Sequence, residues 1–147
     1  MNEDQIMKIK DEMFPIVYDF NLTADQKMEK LSKFSDEERD VVKVAGKPID
    51  KPFLEKIDQI FDYMKKEILP SATPKAKDVF EKVVVGEKLA KPSQMKGLSK
   101  EDRAKLIHEL IGKAVGTCES EDEQSIQLVE LKFLVKLKKE GLVGGAN

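Results

Sequence analysis

The chain has 147 residues, of which 37% are charged and 40% hydrophobic, and its 26 basic and 28 acidic residues leave a net charge of −2. This length suits one domain with a real core, and dense, balanced charge is typical of amphipathic helices with solvated outer faces. The balance excludes the usual basic nucleic-acid-binding protein, and no apolar stretch approaches the ~18 residues that span a bilayer. Residues 1–5 are acidic where a signal peptide is basic, so we expect a cytoplasmic protein.

The N-terminal segment, residues 1–20, is predicted to be helical. Its apolar face recurs between residues 3 and 14, and Pro15 ends or kinks the helix because proline removes a backbone hydrogen bond. The next helix starts at Thr23, because Thr23-Ala24-Asp25-Gln26 has the form of a capping box.

Two further helices are predicted before the middle of the chain. Ser35 opens a second capping box and a short helix through Val44, which Gly46 stops. Asp50 is the predicted N-cap of the clearest helix, whose apolar stripe continues almost to Pro70.

The second half of the chain continues in the same way. Thr73 is an N-cap followed by Pro74 at the first helical position, and Gly86 can end this helix. Residues 87–97 have a weak pattern and are predicted to form a loop. Ser99 then opens a helix with a long apolar stripe.

The last helix begins at Ser120, which opens a third capping box. Residues 131–138 nearly alternate, as a strand would, but only residues 83–85 offer a partner strand, so we interpret the segment as helix. Its apolar residues cover more than one side, so we expect other helices on two of its faces. Residues 141–147 are predicted to form a flexible tail.

Together these patterns predict an all-α fold, a single domain of residues 1–147 with about seven amphipathic helices. The chain has one histidine and one cysteine, so no second side chain of either kind can complete a metal site. We therefore expect no catalytic residue, no metal, no cofactor and no enzymatic activity. His108 lies off the apolar stripe of its helix, and we expect it to be exposed and without a role.

Cys118 lies on the apolar stripe, where a buried cysteine acts as a small hydrophobic residue. The alternative is a reactive thiol, which needs an electropositive site, whereas the residues after Cys118 are acidic.

Ser35 and Ser120 precede acidic residues, a pattern that fits helix caps and also fits the sites of acid-directed protein kinases. Helix capping alone is the simpler interpretation. A kinase acting on Ser35 or Ser120 is the alternative, and the phosphate would lie beside the acidic first turn of its helix.

Segments between Leu22 and Val84 share their order and spacing with one known family. Asn21-Leu22-Thr23-Ala24-Asp25-Gln26-Lys27 looks like a Leu-Thr-Pro-Glu-Glu-Lys helix start. The long helix that leads to Ile68-Leu69-Pro70 is similar to the family's longest helix, and Pro74-Lys75-Ala76-Lys77-Asp78-Val79-Phe80 is similar to its Pro-x-Ala-Lys-x-Phe run. In these features the chain resembles the nematode fatty-acid- and retinol-binding proteins. It departs from them in lacking a signal peptide and in its C-terminal half.

The resemblance implies a helical carrier with an internal apolar cavity, and without a signal peptide we expect it to be a non-catalytic carrier inside the cell. Its expected partners are fatty acids and retinol-like lipids, with transient membrane contact and no nucleic acid. A stripe of Phe and Met at helical spacing is also typical of plain core. From the stripes we expect the ligand to be bound by Leu31, Phe34, Val44, Phe53, Ile57, Ile60, Phe61, Met64, Ile68, Val79, Phe80, Val83, Arg103, Leu106, Leu110 and Ile111.

Arg103 is the candidate partner for a ligand carboxylate, because arginine binds carboxylates through two hydrogen bonds. The alternative is an ordinary surface arginine whose stem lies along the apolar stripe. Lys10 and Tyr63 are weaker candidates for the same role.

Two other classes of protein fit the same pattern. A helical protein–protein interaction module with no small-molecule ligand would have the same caps and stripes, but with a large apolar patch on its surface. An enzyme would need a polar cluster assembled from distant residues.

Overall fold

The structure is a computed structural model that describes residues 1–143. Most of its longer helices begin next to a residue whose side chain caps the first turn. The Thr23 hydroxyl accepts a hydrogen bond from the Gln26 N–H at 3.2 Å, and the Ser35 hydroxyl accepts one from the Glu38 N–H at 3.1 Å. Both predicted capping boxes are confirmed. The first three helices are α1 (Glu3–Val17), α2 (Ala24–Leu31) and α3 (Asp36–Val41).

Helix α1 continues through Pro15, where the sequence predicted an end or a kink. The last turn keeps its hydrogen bonds beyond the proline, since the Tyr18 N–H donates to the Phe14 carbonyl at 2.9 Å. Val17 is completely buried in that turn. Packing of this turn therefore offsets the one hydrogen bond that Pro15 cannot make.

A small hairpin follows α3 where the sequence predicted further helix. Strands β1 (Lys43–Val44) and β2 (Lys47–Pro48) pair antiparallel, with Val44 opposite Lys47. The two residues between them, Ala45 and Gly46, both have positive φ, 51° and 74°. Two such residues in succession make the tight turn that matches strand twist, so the prediction of helix through Val44 is wrong.

The middle of the chain forms two helices that each end in a wider, π-helical turn. The Asp50 carboxylate and the Thr73 hydroxyl cap them as predicted, accepting from the Phe53 and Ala76 N–H groups. The elements are α4 (Lys51–Tyr63) with the π-helical segment Met64–Ile68 and the short 3₁₀ turn Leu69–Ser71, then α5 (Pro74–Val79) with the π-helical segment Phe80–Val84.

The predicted loop at residues 87–97 contains one short helix, α6 (Pro92–Met95). A contact with α1 holds this helix in place. The Ser93 N–H donates to the Asp11 carboxylate at 3.0 Å. The partner is 82 residues away in sequence, so local periodicity could not indicate this turn.

The last two helices are α7 (Lys100–Val115) and α8 (Ser120–Lys139). Ser99 caps α7 as predicted, accepting from the Asp102 N–H at 3.0 Å. The predicted cap at Ser120 is wrong by one residue, because Glu119 occupies the cap position and its N–H donates to the Asp122 carboxylate at 3.2 Å. Residues 131–138 are helical, which confirms that interpretation.

The core consists of two adjoining clusters within one compact all-α domain of about eight helices over the described residues. The main cluster joins α1, α2, α4 and α8, and four of its phenylalanines contact one another in series. Their ring centroids lie 5.1 Å apart for Phe20 and Phe61, 5.4 Å for Phe20 and Phe80, and 5.0 Å for Phe80 and Phe133. The second cluster joins α5, α7 and α8.

The chain returns to the core after α8. The sequence predicted a flexible tail from Gly141, but Leu142 is buried in the main cluster and its N–H donates to the Leu137 carbonyl at 2.9 Å. Residues 144–147 of that predicted tail lie outside the described residues.

Helix α8 was predicted to be flanked by other elements on two faces, and it packs against α5 and against the π-helical segment Met64–Ile68. One face packs on the core through residues such as Val129 and Phe133, while another presents apolar side chains to solvent. Within residues 1–143, no helix combines the length and apolarity needed to cross a membrane.

Candidate functional site

Most residues that the sequence predicted to line a ligand pocket lie in the packed core. Val44 packs against the edge of the main cluster, and Val79 and Val83 belong to the second cluster. These side chains contact one another and stabilise the fold. The predicted pocket residues in the main cluster are Leu31, Phe34, Phe53, Ile57, Ile60, Phe61, Met64, Ile68 and Phe80.

A groove of about 520 Å³ lies between α7 and α8, and we call it the α7–α8 groove. Its apolar floor is made by isoleucines of both helices, and its rim is polar and largely exposed to solvent. The lining residues are Ala104, Ile107, His108, Ile111, Cys118, Glu123, Ile126, Gln127 and Glu130.

The groove forms because α7 packs only along one edge. Its apolar residues contact α5 and the π-helical segment Phe80–Val84, yet no residue of this 16-residue helix is fully buried. Ile126 of α8 is buried beside them and forms the bottom of the groove. Ile107 and Ile111 therefore remain half-buried.

The charge in the α7–α8 groove is acidic. Glu123 and Glu130 line it, and neither lysine nor arginine is among its lining residues. Burial raises the pKa of the Glu130 carboxyl above its ordinary value, because removal from water disfavours the charged form. The groove therefore suits an apolar chain better than an anionic group.

The structure separates the predicted site residues on α7. Ile111 lines the groove, Leu110 packs against the second cluster and Leu106 is half-buried. Arg103, the predicted partner of a carboxylate, is exposed and is not among the residues that line the groove. Lys10, a weaker candidate, is half-buried on α1.

Two residues that the sequence set aside lie at the groove. His108 is exposed, as predicted, on its rim. Cys118 is half-buried rather than fully buried, and it both packs on the second cluster and lines the groove. The sequence did not predict that Ile126 and Glu130 of α8 line the groove. In the sequence, polar residues that face a groove look the same as polar residues on an ordinary solvated helix face.

Apart from the groove, Lys27 of α2 is unusual because it is a buried lysine, although the sequence of its helix has an ordinary pattern. Its side chain is completely buried, and its ammonium lies 3.8 Å from the Asp58 carboxylate and 4.8 Å from the Phe61 ring centroid. Within the described residues it has no hydrogen-bond partner. Burial lowers the pKa of Lys27 to about 8, against the opposing effect of the Asp58 charge. Asp58 also accepts from the Ala24 N–H at 2.7 Å, so this cluster fastens the start of α2 to α4.

Both serines considered as kinase sites are exposed, but Ser35 caps its helix and Ser120 does not. Ser35 is exposed at the cap position of α3, where its hydroxyl accepts the Glu38 N–H. Ser120 is exposed in the first turn of α8.

Within residues 1–143, no three His, Cys, Asp or Glu side chains are grouped so that they could hold a metal ion. Comparisons with protein-family models, with curated proteins and with solved structures found no match to this chain.

Proposed function

We propose that the protein is a non-catalytic carrier that binds fatty acids and retinol-like lipids in the α7–α8 groove. The observation that carries this proposal is the apolar floor of Ile107, Ile111 and Ile126 in a groove of about 520 Å³. Small-molecule sites are concave, mostly apolar and occupy ~300–1,000 Å³. The resemblance of residues 22–84 to the nematode carriers agrees with this ligand class.

Transfer energy is large enough for the proposed binding. A long acyl chain brings ~15 methylene groups at ~0.8 kcal/mol each, a gross gain of about 12 kcal/mol when fully buried. Association and ordering of the chain cost several kcal/mol, and micromolar affinity needs about 8 kcal/mol. An exposed rim leaves part of the ligand in water, so we expect micromolar affinity.

The charges of the groove fix the ligand's orientation in this proposal. The acyl chain lies on the isoleucine floor, and the carboxylate stays in solvent, where water and salt screen its repulsion from Glu123 and Glu130. Retinol carries no charge and avoids this repulsion. We therefore expect retinol to compete for the same site and to be insensitive to the charge of Glu123.

The test is titration of a fluorescent fatty acid into delipidated protein, followed by displacement with oleate and then retinol. Saturable fluorescence enhancement that oleate reverses is expected. Absence of saturable binding at micromolar protein would remove the carrier proposal. It would leave the alternative, an interaction module without a small-molecule ligand, to be tested by affinity capture.

Cys118 allows the site itself to be located. It is the single cysteine of the chain and lines the groove, so its reaction rate with a thiol reagent reports occupancy. Saturating oleate is expected to slow that reaction severalfold. If oleate binds but leaves the rate unchanged, the ligand lies elsewhere, and the core stripe around Ile60 becomes the candidate.

A matched pair of variants tests the floor of the groove. Ile111→Glu places a charge on it and should weaken oleate binding at least about tenfold. Leu134→Glu makes the same change at a side chain that is 43% exposed on α8 and does not line the groove, so its affinity should match the parent protein. Equal losses in both variants would contradict this location.

A further inference from the structure

Helix α8 presents a row of apolar side chains to solvent. Leu128, Leu131, Leu134 and Val135 are 51%, 58%, 43% and 42% exposed, and Leu128, Leu131 and Val135 recur at helical spacing along one side. Among the described residues, Met1 is the one other large apolar side chain exposed to this extent. Isolated exposed apolar residues need no explanation, but a contiguous row marks an interaction surface.

Lysines border this row. A groove of about 250 Å³ runs beside it, closed on the far side by Tyr63 and Ile68. No acidic residue is among those that line it. We name as the lysine-flanked face the row and rim formed by Leu128, Leu131, Val135, Lys132, Lys136 and Lys139.

The positive charge of this face is local, because the whole chain carries a net charge of −2. Lys132 and Lys139 are exposed, and neither forms an ion pair within residues 1–143. Lys136 lies 3.5 Å from Glu140 and 4.8 Å from the centroid of the Tyr63 ring. Two of the three lysines are therefore free to meet an anionic partner.

We propose that the lysine-flanked face binds the interface of a membrane that contains acidic phospholipids. Amphipathic helices that lie in such an interface combine apolar side chains on one face with a polar face that is rich in lysine and arginine. The apolar side chains enter the boundary between headgroups and acyl chains, while the lysine ammonium groups reach phosphate and carboxylate groups.

The composition of the face favours a membrane over a protein partner. Centres of protein interfaces are enriched in aromatic residues and arginine and are depleted of lysine. The lysine-flanked face has three lysines and no arginine, and its one aromatic neighbour is Tyr63 at the margin. The proposal does not rest on the carrier function, because the α7–α8 groove is lined by other residues of α8.

The experiment is co-sedimentation of the 147-residue protein with vesicles of phosphatidylcholine, with and without phosphatidylserine, at low and high salt. Binding is expected with phosphatidylserine and should fall as salt screens the lysines. The double variant Lys132→Gln/Lys139→Gln should lower the partition coefficient roughly 30-fold, since each lysine near an acidic surface is worth ~1 kcal/mol. Lys100→Gln/Lys105→Gln removes two exposed lysines of α7 and should leave partitioning unchanged.

A second double variant separates apolar insertion from simple charge attraction. Leu131→Ser/Val135→Ser keeps every charge and should lower partitioning more than about tenfold. Both positions are exposed, so the thermal midpoint should stay near that of the parent protein. Equal binding with and without phosphatidylserine, or equal losses in the two lysine variants, would overturn the proposal. A concentration-dependent dimer that Leu131→Ser/Val135→Ser abolishes, without vesicle binding, would assign the face to a second copy instead.

Discussion

At the scale of single residues, Lys27 carries the most unusual energetics. Its ammonium is removed from water and lies beside one carboxylate without a hydrogen bond among the described residues. A buried charge whose partner is 33% exposed recovers little of its lost hydration. The folded state therefore holds the proton of Lys27 less tightly than the unfolded chain does, and its pKa falls to about 8 from 10.5.

This difference predicts a pH-dependent stability. Between pH 8 and pH 10.5 the unfolded chain binds more protons at Lys27, so the free energy of unfolding rises with pH in that window. The full penalty, up to about 3 kcal/mol, applies below pH 8. Lys27→Met should therefore stabilise the protein at pH 7, and its advantage over the parent should shrink toward pH 10.5.

Urea unfolding of both proteins at neutral and alkaline pH measures this effect. Lys30→Met, an exposed lysine of the same helix, is the control and should track the parent protein at every pH. A Lys27→Met protein that is less stable than the parent at pH 7 would show instead that the Asp58 pair is net stabilising.

Gly86 is a second residue whose substitution should strongly lower the stability of the fold. Its φ is +89°, and a Cβ there would lie 2.2 Å from the Glu81 carbonyl oxygen. Its N–H also donates to the Tyr18 carbonyl at 2.9 Å, which fixes the end of α1. Gly86→Ala should therefore cost roughly 3 kcal/mol or more in the free energy of unfolding, from strain and backbone collision together.

Gly46→Ala is the matched control for that substitution. Gly46 has a similar φ of +74°, but an added Cβ would meet nothing within 4 Å. Conformational strain alone, about 1–2 kcal/mol, is expected there. Equal losses in the two alanine variants, measured by urea unfolding, would mean that the collision at Gly86 relaxes without cost.

At the scale of elements, α7 is held less firmly than α4. Helix α4 buries five residues, among them Ile57 and Ile60, whereas α7 buries none. Local opening is easiest where few apolar contacts are lost. Amide hydrogen exchange should therefore be much faster at Ile107 and Leu110 than at Ile57 and Ile60.

A saturating ligand should change this order. If oleate occupies the α7–α8 groove, it adds apolar contacts to α7, and exchange of the α7 amides should slow more than that of the α4 amides. Uniform protection of both helices, or exchange of both at the global unfolding rate, would contradict a loosely held α7.

At the scale of the whole molecule, binding and folding are linked. A ligand that binds only the folded protein adds about 2.7 kcal/mol of stability at a concentration of 100 Kd. For a domain of this size, 1 kcal/mol raises Tm by ~2–4 °C, so oleate should raise it by roughly 5–10 °C. Scanning calorimetry with oleate measures the shift, and Ile111→Glu protein should show little of it.

The amino-acid sequence alone determined the helix class and most helix starts. Caps at Thr23, Ser35, Asp50, Thr73 and Ser99 depend on a side chain and a backbone N–H three residues away, so they are legible in a short window. The apolar stripe of α4 can also be recognised in a short window, because its residues recur on one side of the helix, and that side is buried in the core.

Tertiary structure decided what each stripe contacts. Periodicity shows that Ile60 and Ile111 lie on apolar faces, but not that Ile60 is buried among phenylalanines while Ile111 borders a groove. Nor does it show that the row at Leu131 faces solvent, or that Lys27 is enclosed beside Asp58. Burial depends on which distant elements cover a face, and those contacts are set by the packing of the whole chain rather than by any local window.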